Sequence, residues 1–326
     1  VPEMGYGFDT IYMHAAPMFH LADMASTFAV TLAGGSHGIV PRFDVGGVLS
    51  FMEREKITHT LLVPTMINLL VSSGKIKDFD VSSVKRMLYG ASPMPEAVLI
   101  AAMEQMPDAL FAQGYGQTEA SPIITVLAPE FHVLGGAKLR SAGRAALGVE
   151  VAIMDKDDVE LPRGKVGEIC ARGPNVMLGY WGMEQASAET LRHDWLHTGD
   201  LGYMDEDGFV FIVDRAKDMI ISGGENIFSV EVEGTIYSHP SVQECAIVGI
   251  PHDEWGEMVH AIVVLKEGHG LNEGELLAHC RALIAGYKLP RSIEFRSEPL
   301  PVSGAGKILK NELRQPFWEN KDRGVN

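Results

Sequence analysis

Short apolar runs alternate with stretches of helical periodicity between residues 57 and 135. The β-rich run 57–63 is ended by Pro64, residues 66–71 read as a helix, and 84–89 as a buried strand closed by Gly90. A helix is expected over 95–105, with Pro95 in its first turn, where a missing amide costs nothing. Residues 109–113 form the next strand. Strands alternating with helices predict a parallel sheet with helices on its faces. Such sheets take ligands at the carboxyl ends of their strands, which is where Gly90-Ala91-Ser92 and Gly114-Tyr115-Gly116 stand.

The pattern changes after residue 140. Strands are expected at 149–154, 166–171 and 209–213, separated by glycine turns and no strong helix, which suggests a small β-barrel. From Lys217 onward the reading is α+β, with strands at 244–248, 261–265 and 293–295. Asn272 and Glu275 have capping-box spacing, and Leu276, Leu277, Cys280, Leu283 and Ile284 follow on one helical face. The tail 307–318 is partly helical. The pattern predicts an α/β part over 1–140, a β-barrel part over 141–214 and a small α+β domain over 215–326.

The 326 residues are enough for two or three domains, and hydrophobic (46%) and charged (21%) fractions are those of a globular protein. A net charge of −16 repels nucleic acid and anionic lipid. Cations acting on an anionic substrate must therefore be placed locally. Cys170, Cys245 and Cys280 are too scattered for a disulfide framework or a C-x-x-C pair, which fits the reducing cytoplasm. No apolar run reaches the roughly 18 residues of a membrane span. The chain does not begin with Met, and residues 11–19 already read as the inside of a domain, so the sequence is expected to begin mid-protein.

Four segments carry chemistry. In Gly114-Tyr115-Gly116-Gln117-Thr118-Glu119 the glycines let backbone approach a ligand, Tyr115 can stack on a flat base, Thr118 offers a hydroxyl to phosphate, and Glu119 is a hard oxygen donor for Mg²⁺. Asp200, after Thr198-Gly199 and read at a strand end, can accept both hydroxyls of a ribose, although Asp beside Gly is also ordinary turn chemistry. Asp214-Arg215-Ala216-Lys217-Asp218 and Ser222-Gly223-Gly224-Glu225-Asn226 straddle the last domain boundary, and a solvated linker is their plainer reading. Pro301-Val302-Ser303-Gly304-Ala305-Gly306-Lys307 is a glycine loop ending in a lysine. It is no Walker A loop, since Ile308 follows the lysine where Ser or Thr is needed. Its lysine is instead a mobile point charge for a reacting phosphate or carboxylate. There is no G-x-S-x-G elbow, because Gly90-Ala91-Ser92 continues into Pro93-Met94, and no H-E-x-x-H pattern.

Taken in order, Pro17-Met18-Phe19-His20, the segment 115–119, Gly167-Glu168-Ile169, Thr198-Gly199-Asp200, Asp214-Arg215, Ser222-Gly223-Gly224 and Gly306-Lys307 resemble the adenylate-forming superfamily across essentially the whole chain. That family holds acyl-CoA synthetases, luciferases and the adenylation domains of peptide synthetases. The version here resembles fatty-acid–CoA ligases most. The resemblance implies that Gly90, Ala91, Ser92 and Tyr115 wall an adenine slot, that Thr118 meets phosphate, and that Glu119 holds Mg²⁺. By the same resemblance Asp200 and Arg215 bind the nucleotide, and His20 gates the acyl site. Lys217 is then the hinge of a mobile small domain, Gly223 and Gly224 line the path of the CoA thiol, and Lys307 bridges carboxylate and α-phosphate.

The implied substrates are ATP, coenzyme A and a medium- or long-chain fatty or other hydrophobic acid, with no nucleic-acid partner. Oligomeric state is left open, a homodimer included. Transfer of the acyl group to a carrier protein is the alternative enzyme reading, and a truncated non-catalytic fragment is the alternative of another class. Two departures stand out. Ile221 occupies a position where many relatives have lysine. The Ser/Thr/Gly-rich phosphate loop is absent and belongs upstream of residue 1, so the chain is expected to be inactive alone and to bind ATP weakly.

Overall fold

The computed structural model describes residues 4–304 and 306–319. The chain divides into two compact units, Val1–Met94 with Leu99–Ile212, and Pro95–Val98 with Val213–Asn326.

The chain opens with β1 (Ile11–His14), α1 (Leu21–Leu32), β2 (Ser36–Ile39), α2 (Val45–Glu55), β3 (His59–Leu62), α3 (Pro64–Ser72), β4 (Arg86–Gly90), α4 (Glu96–Gln105) and β5 (Leu110–Tyr115), then β6 (Thr125–Leu127) and β7 (Arg144–Ala145). The sheet order is β2-β1-β3-β4-β5-β6-β7. The strands β2, β1, β3, β4 and β5 run parallel, and β6 and β7 add antiparallel pairs. Local chemistry sets the ends of the helices. Asp44 accepts the Gly47 amide at 2.7 Å to start α2, Lys56 ends it in the left-handed region, and Pro64 opens α3. Tyr12, Val30, Leu61, Leu88 and Ala112 bury the sheet against α1.

β5 runs on to Tyr115, so Gly114 and Tyr115 are strand residues and not part of a following loop. The extension has a steric cause. Gly90 and Gly114 are register partners, and a Cβ on Gly90 would lie 2.1 Å from the Gly114 carbonyl oxygen. Without side chains there, β4 and β5 stay paired to their ends.

The second sheet holds β8 (Glu150–Met154), β9 (Gly167–Arg172), β10 (Leu191–Arg192), β11 (Trp195–Met204) and β12 (Val210–Arg215), in the order β10-β11-β9-β8 with β12 on β11. A seven-residue helix, α5 (Glu184–Thr190), lies where the pattern predicts no strong helix; it has no buried residue, hence no apolar stripe to read. Asp200 falls inside the ten-residue β11 and not at a strand end. The register with β9 shifts between His197 and Leu201, and Gly199 there has φ +71°. This is a bulge, which hydrophobic alternation reads as a break in the strand.

The second unit contains β13 (Ile220–Ser222), β14 (Glu225–Ile227), α6 (Ser229–Tyr237), β15 (Val242–His252), β16 (Gly256–Leu265), α7 (Glu273–Arg281), β17 (Ser292–Arg296) and α8 (Lys310–Arg314). The long antiparallel pair of β15 and β16 carries β13 and the parallel β17 on β16. Ile236, Ile247, Val263, Leu276 and Cys280 form its core. The capping box of α7 is present, with Asn272 Oδ1 and Glu275 Oε2 each 3.0 Å from the other residue's amide nitrogen. The helix stops at Arg281, so Leu283 and Ile284 lie beyond the face predicted for them, and Leu283 is exposed. The three cysteines are free and buried. Among the described residues no helix is long and apolar enough to cross a membrane.

Candidate functional site

In the first unit the carboxyl ends of β4 and β5 and the bulge of β11 converge. The Tyr115 hydroxyl donates to Asp200 Oδ2 at 2.9 Å, and both residues are buried. Asp200 is aimed by its neighbours. Thr198 Oγ1 donates to the Ile169 carbonyl (2.7 Å) and accepts the Asp200 amide (3.1 Å), and Glu168 Oε1 accepts the Gly199 amide (2.9 Å). Gly90 ends β4, Ala91 follows at φ +69°, and Ser92 is half-buried. A left-handed alanine costs free energy and fixes a sharp change of direction at the strand end.

Thr118 begins a one-turn 3₁₀ helix over Thr118–Ala120 and is exposed. Glu119 is half-buried, and its Oε1 accepts the Tyr180 hydroxyl at 2.7 Å. Burial, and then the carboxylate, push that phenol up. The segment leading to Tyr180 is strapped over the turn by Asn175 Nδ2, which reaches the Ala120 and Ile123 carbonyls (2.8 and 2.9 Å), and by the Met177 amide, which donates to the Glu119 carbonyl (2.8 Å). Tyr180 and Glu168 are partners to which the sequence pattern assigned no role. Each is one aromatic or acidic residue near glycines, and only the fold shows whom it meets. A carboxylate anchored through one oxygen is a donor set that fits Mg²⁺, which keeps waters and shares phosphate oxygens.

His20 stands apart, at the N-cap of α1, with its ring 4.5 Å from that of Phe19. The start of α1 is pinned by buried Asp23, which lies 3.0 Å from the Tyr12 hydroxyl and 2.8 Å from His14 Nδ1. His14 Nε2 in turn lies 2.9 Å from His37 Nδ1.

Glu168, Cys170 and His197 bring their donor atoms within 4.8 Å of one another. Arg192 is placed among them, with Nη2 2.8 Å from His197 Nδ1 and 3.7 Å from Glu168 Oε2. Burial, then Glu168, push the Cys170 thiol up to about 12, which keeps it a neutral thiol. Arg192, paired with Asp158 and Glu168, makes this an ion-pair cluster at the bulge.

In the second unit Arg215 ends β12, and Lys217 lies in the exposed turn that follows, closed by the Asp218 and Met219 amides on the Arg215 carbonyl (2.9 and 3.0 Å). Gly223 and Gly224, at φ +59° and +87°, make the two-residue turn between β13 and β14 that requires glycine-type backbone. Lys307 sits on a loop whose base is clamped by the bridge of Val302 with Ile308, the Leu309 amide on the Pro301 carbonyl (2.8 Å) and the Ser303 amide on the Lys307 carbonyl (2.8 Å). Ala305 in that loop lies outside the described residues. Lys310 is held by Glu233 and Ser229, each at 2.7 Å. Burial alone would lower its pKa, but Glu233 and Asp214 outweigh it and hold the ammonium above its ordinary range. Burial pushes Asp214 and Glu233 up.

The first unit is an α/β domain with a parallel sheet and polar groups at its carboxyl edge, and the second is a small α+β domain. Residues 2–181 match the model of the AMP-binding enzyme and residues 231–307 that of the AMP-binding enzyme C-terminal domain. The chain belongs to the AMP-binding enzyme family. It is 42% identical over 304 residues to a feruloyl-CoA synthase of an Amycolatopsis species, covering 93% of this chain and 61% of that protein. It is 40% identical over 270 residues to the fatty acid–[acyl-carrier-protein] ligase ScoC of Streptomyces coeruleorubidus, covering 83% and 52%. The amide bond synthetase McbA of Marinactinospora thermotolerans superposes with a TM-score of 0.87 at 35% identity, covering 96% of this chain and 63% of that one. The chain thus spans about half to three-fifths of the length of these relatives.

Proposed function

We propose that the full-length protein activates a hydrophobic carboxylic acid with ATP, as an acyl-adenylate, and transfers the acyl group to the thiol of coenzyme A. The hydrogen bond from Tyr115 to Asp200, buried beside Glu119 at the carboxyl edge of the sheet, carries this reading. It sets an acceptor for two vicinal hydroxyls next to an aromatic face and a hard oxygen donor. Gly90, Ala91, Ser92 and Tyr115 wall the base, Asp200 and Arg215 take the ribose, Thr118 the phosphates, and His20 borders the acyl group. Mg²⁺ on Glu119 would neutralise phosphate charge. A carboxylate oxygen forms a bond to the α-phosphorus as the bond to pyrophosphate breaks. Both reactants are anions, so the barrier is largely electrostatic and Lys307 lowers it. The thiol then attacks the acyl carbon past Gly223 and Gly224, and AMP leaves.

Residues 1–140 and 141–214 would form the large domain, and 215–326 a small domain turning about Lys217. Relatives named for an aromatic acid and for a fatty acid support a hydrophobic substrate. The carrier-protein ligase among them makes a phosphopantetheine carrier the second acceptor to test.

In full-length protein, Lys307→Ala should cut acyl-adenylate formation by about 100-fold or more while thioester formation from supplied acyl-adenylate persists. Equal loss of both half-reactions would remove the role given to Lys307. Feruloyl, medium-chain and long-chain acids offered in parallel, with CoA or a carrier as acceptor, give the substrate class.

A further inference from the structure

Lys310 opens α8, three residues beyond Lys307, and its contacts end on several separate segments. Its ammonium donates to Ser229 Oγ in the first turn of α6 and pairs with Glu233 Oε1 further along that helix. Glu233 Oε1 also accepts the Ile247 amide of β15 at 2.8 Å. The Ser229 hydroxyl donates to Asp214 Oδ1 (3.0 Å), the Ser229 amide donates to Asp214 Oδ2, and Asp214 Oδ1 takes the Arg215 amide (2.8 Å). One turn on, Arg314 Nη1 donates to the Lys217 carbonyl at 3.2 Å and lies 3.8 Å from Asp218 Oδ1. A continuous polar chain therefore joins the base of the Lys307 loop to residues 214–218.

Burying a lysine with two carboxylates is a poor way to gain stability, because desolvation consumes most of the attraction and apolar residues would fill the space as well. What such a network supplies is direction: each donor is tied to named acceptors at fixed distances. An ordinary core ion pair would support the fold as a whole. This one ends at both places where the second unit carries a residue assigned to the nucleotide or the hinge.

We propose that Lys310 is a positioning residue for adenylation, locking the Lys307 loop to the segment bearing Arg215 and Lys217 so that the two are presented as one body. The proposal rests on the adenylation reading above. Lys307 reaches the reacting phosphate on a long flexible stem, so its placement depends on where the base of the loop is held. Misplacement by about 1 Å is enough to cost two orders of magnitude in rate.

Replacing Lys310 alone leaves Glu233 buried without its cation, whereas Asp214 keeps the Ser229 amide, the Ser229 hydroxyl and the Arg215 amide, so the informative variant is the double Lys310→Met/Glu233→Leu, which removes the direct pair and keeps its volume. Its urea midpoint should stay close to the parent's. In full-length protein its kcat for acyl-adenylate formation should fall about 100-fold, with KM for ATP and thioester formation from supplied acyl-adenylate within about twofold. Lys310→Arg should recover most of the lost rate. In the 326-residue chain, amide exchange at Lys307 and Arg215 should quicken together by about tenfold in the double variant. Equal slowing of both half-reactions, or unchanged exchange at both amides, overturns the proposal. A parent that forms no acyl-adenylate would instead remove the adenylation reading, and the exchange result would still decide whether Lys310 couples the two segments.

Discussion

His132 lies with Nε2 3.0 Å from the Tyr89 hydroxyl and Nδ1 3.1 Å from the Ala128 carbonyl. A neutral imidazole protonated on Nδ1 satisfies both partners, and burial lowers the ring from 6.5 to about 4. The unfolded chain therefore binds a proton below pH 6.5 that the folded chain refuses until about pH 4. Stability from this group is complete above pH 6.5 and drains away as pH falls toward 4, by at most about 3–4 kcal/mol for a shift of about 2.5 units. Urea midpoints between pH 7 and 4 should show the decline, and His132→Gln should flatten that part of it. Nothing around His132 in the sequence announces this, because Tyr89 is 43 residues away. The same distinction separates Glu119 and Asp200 from their partners. Acidic residues among glycines stand out by type, whereas Tyr180, 61 residues from Glu119, and Glu168, 31 from Gly199, acquire their roles only on folding.

At the scale of elements, what the sequence exposes is what local chemistry decides. The proline at the start of α3, the capping box of α7 and the buried runs of β3 and β4 are all written in neighbouring residues. The length of β11 is not, since its bulge interrupts the alternation of side chains, and α5 has no buried face. The hairpin turn of β13 and β14 is a local device that can be tested by itself. A Cβ on Gly224 would meet nothing within 4 Å, so the cost of a side chain there is that of its φ of +87° alone. Gly224→Val should cost about 1–2 kcal/mol of stability. Under the proposed mechanism it should slow the thiol step in full-length protein and leave adenylate formation unchanged. Parallel assays of the two half-reactions with a urea titration separate these effects.

For the whole molecule, a net charge of −16 coexists with an exposed apolar region on the first unit. β2 is the edge of its sheet, and Phe8, Phe28, Leu32 and Ile39, on or beside α1 and β2, are exposed, Leu32 at 88%. An open strand edge beside exposed large side chains favours association of chains. The 326-residue chain should bind anilinonaphthalene sulfonate and sediment heavier as its concentration rises. Leu32→Lys with Ile39→Lys should reduce both, and fluorescence with sedimentation velocity measures the change. The α/β class was legible from periodicity, because strands alternate with helices between residues 57 and 135. The antiparallel strands β6 and β7 were not, being three and two residues long.

The meeting of Gly90 with Gly114 has a consequence for how this protein can vary. A methyl group on Gly90 would press on backbone and not on a side chain that could swing aside, so no second substitution can make room for it. In a library of variants Gly90 should admit almost no replacement, whereas Gly74 and Gly164, with open space around them, should admit asparagine. Variation along this edge would then fall elsewhere, while this one seam between strands stays as it is.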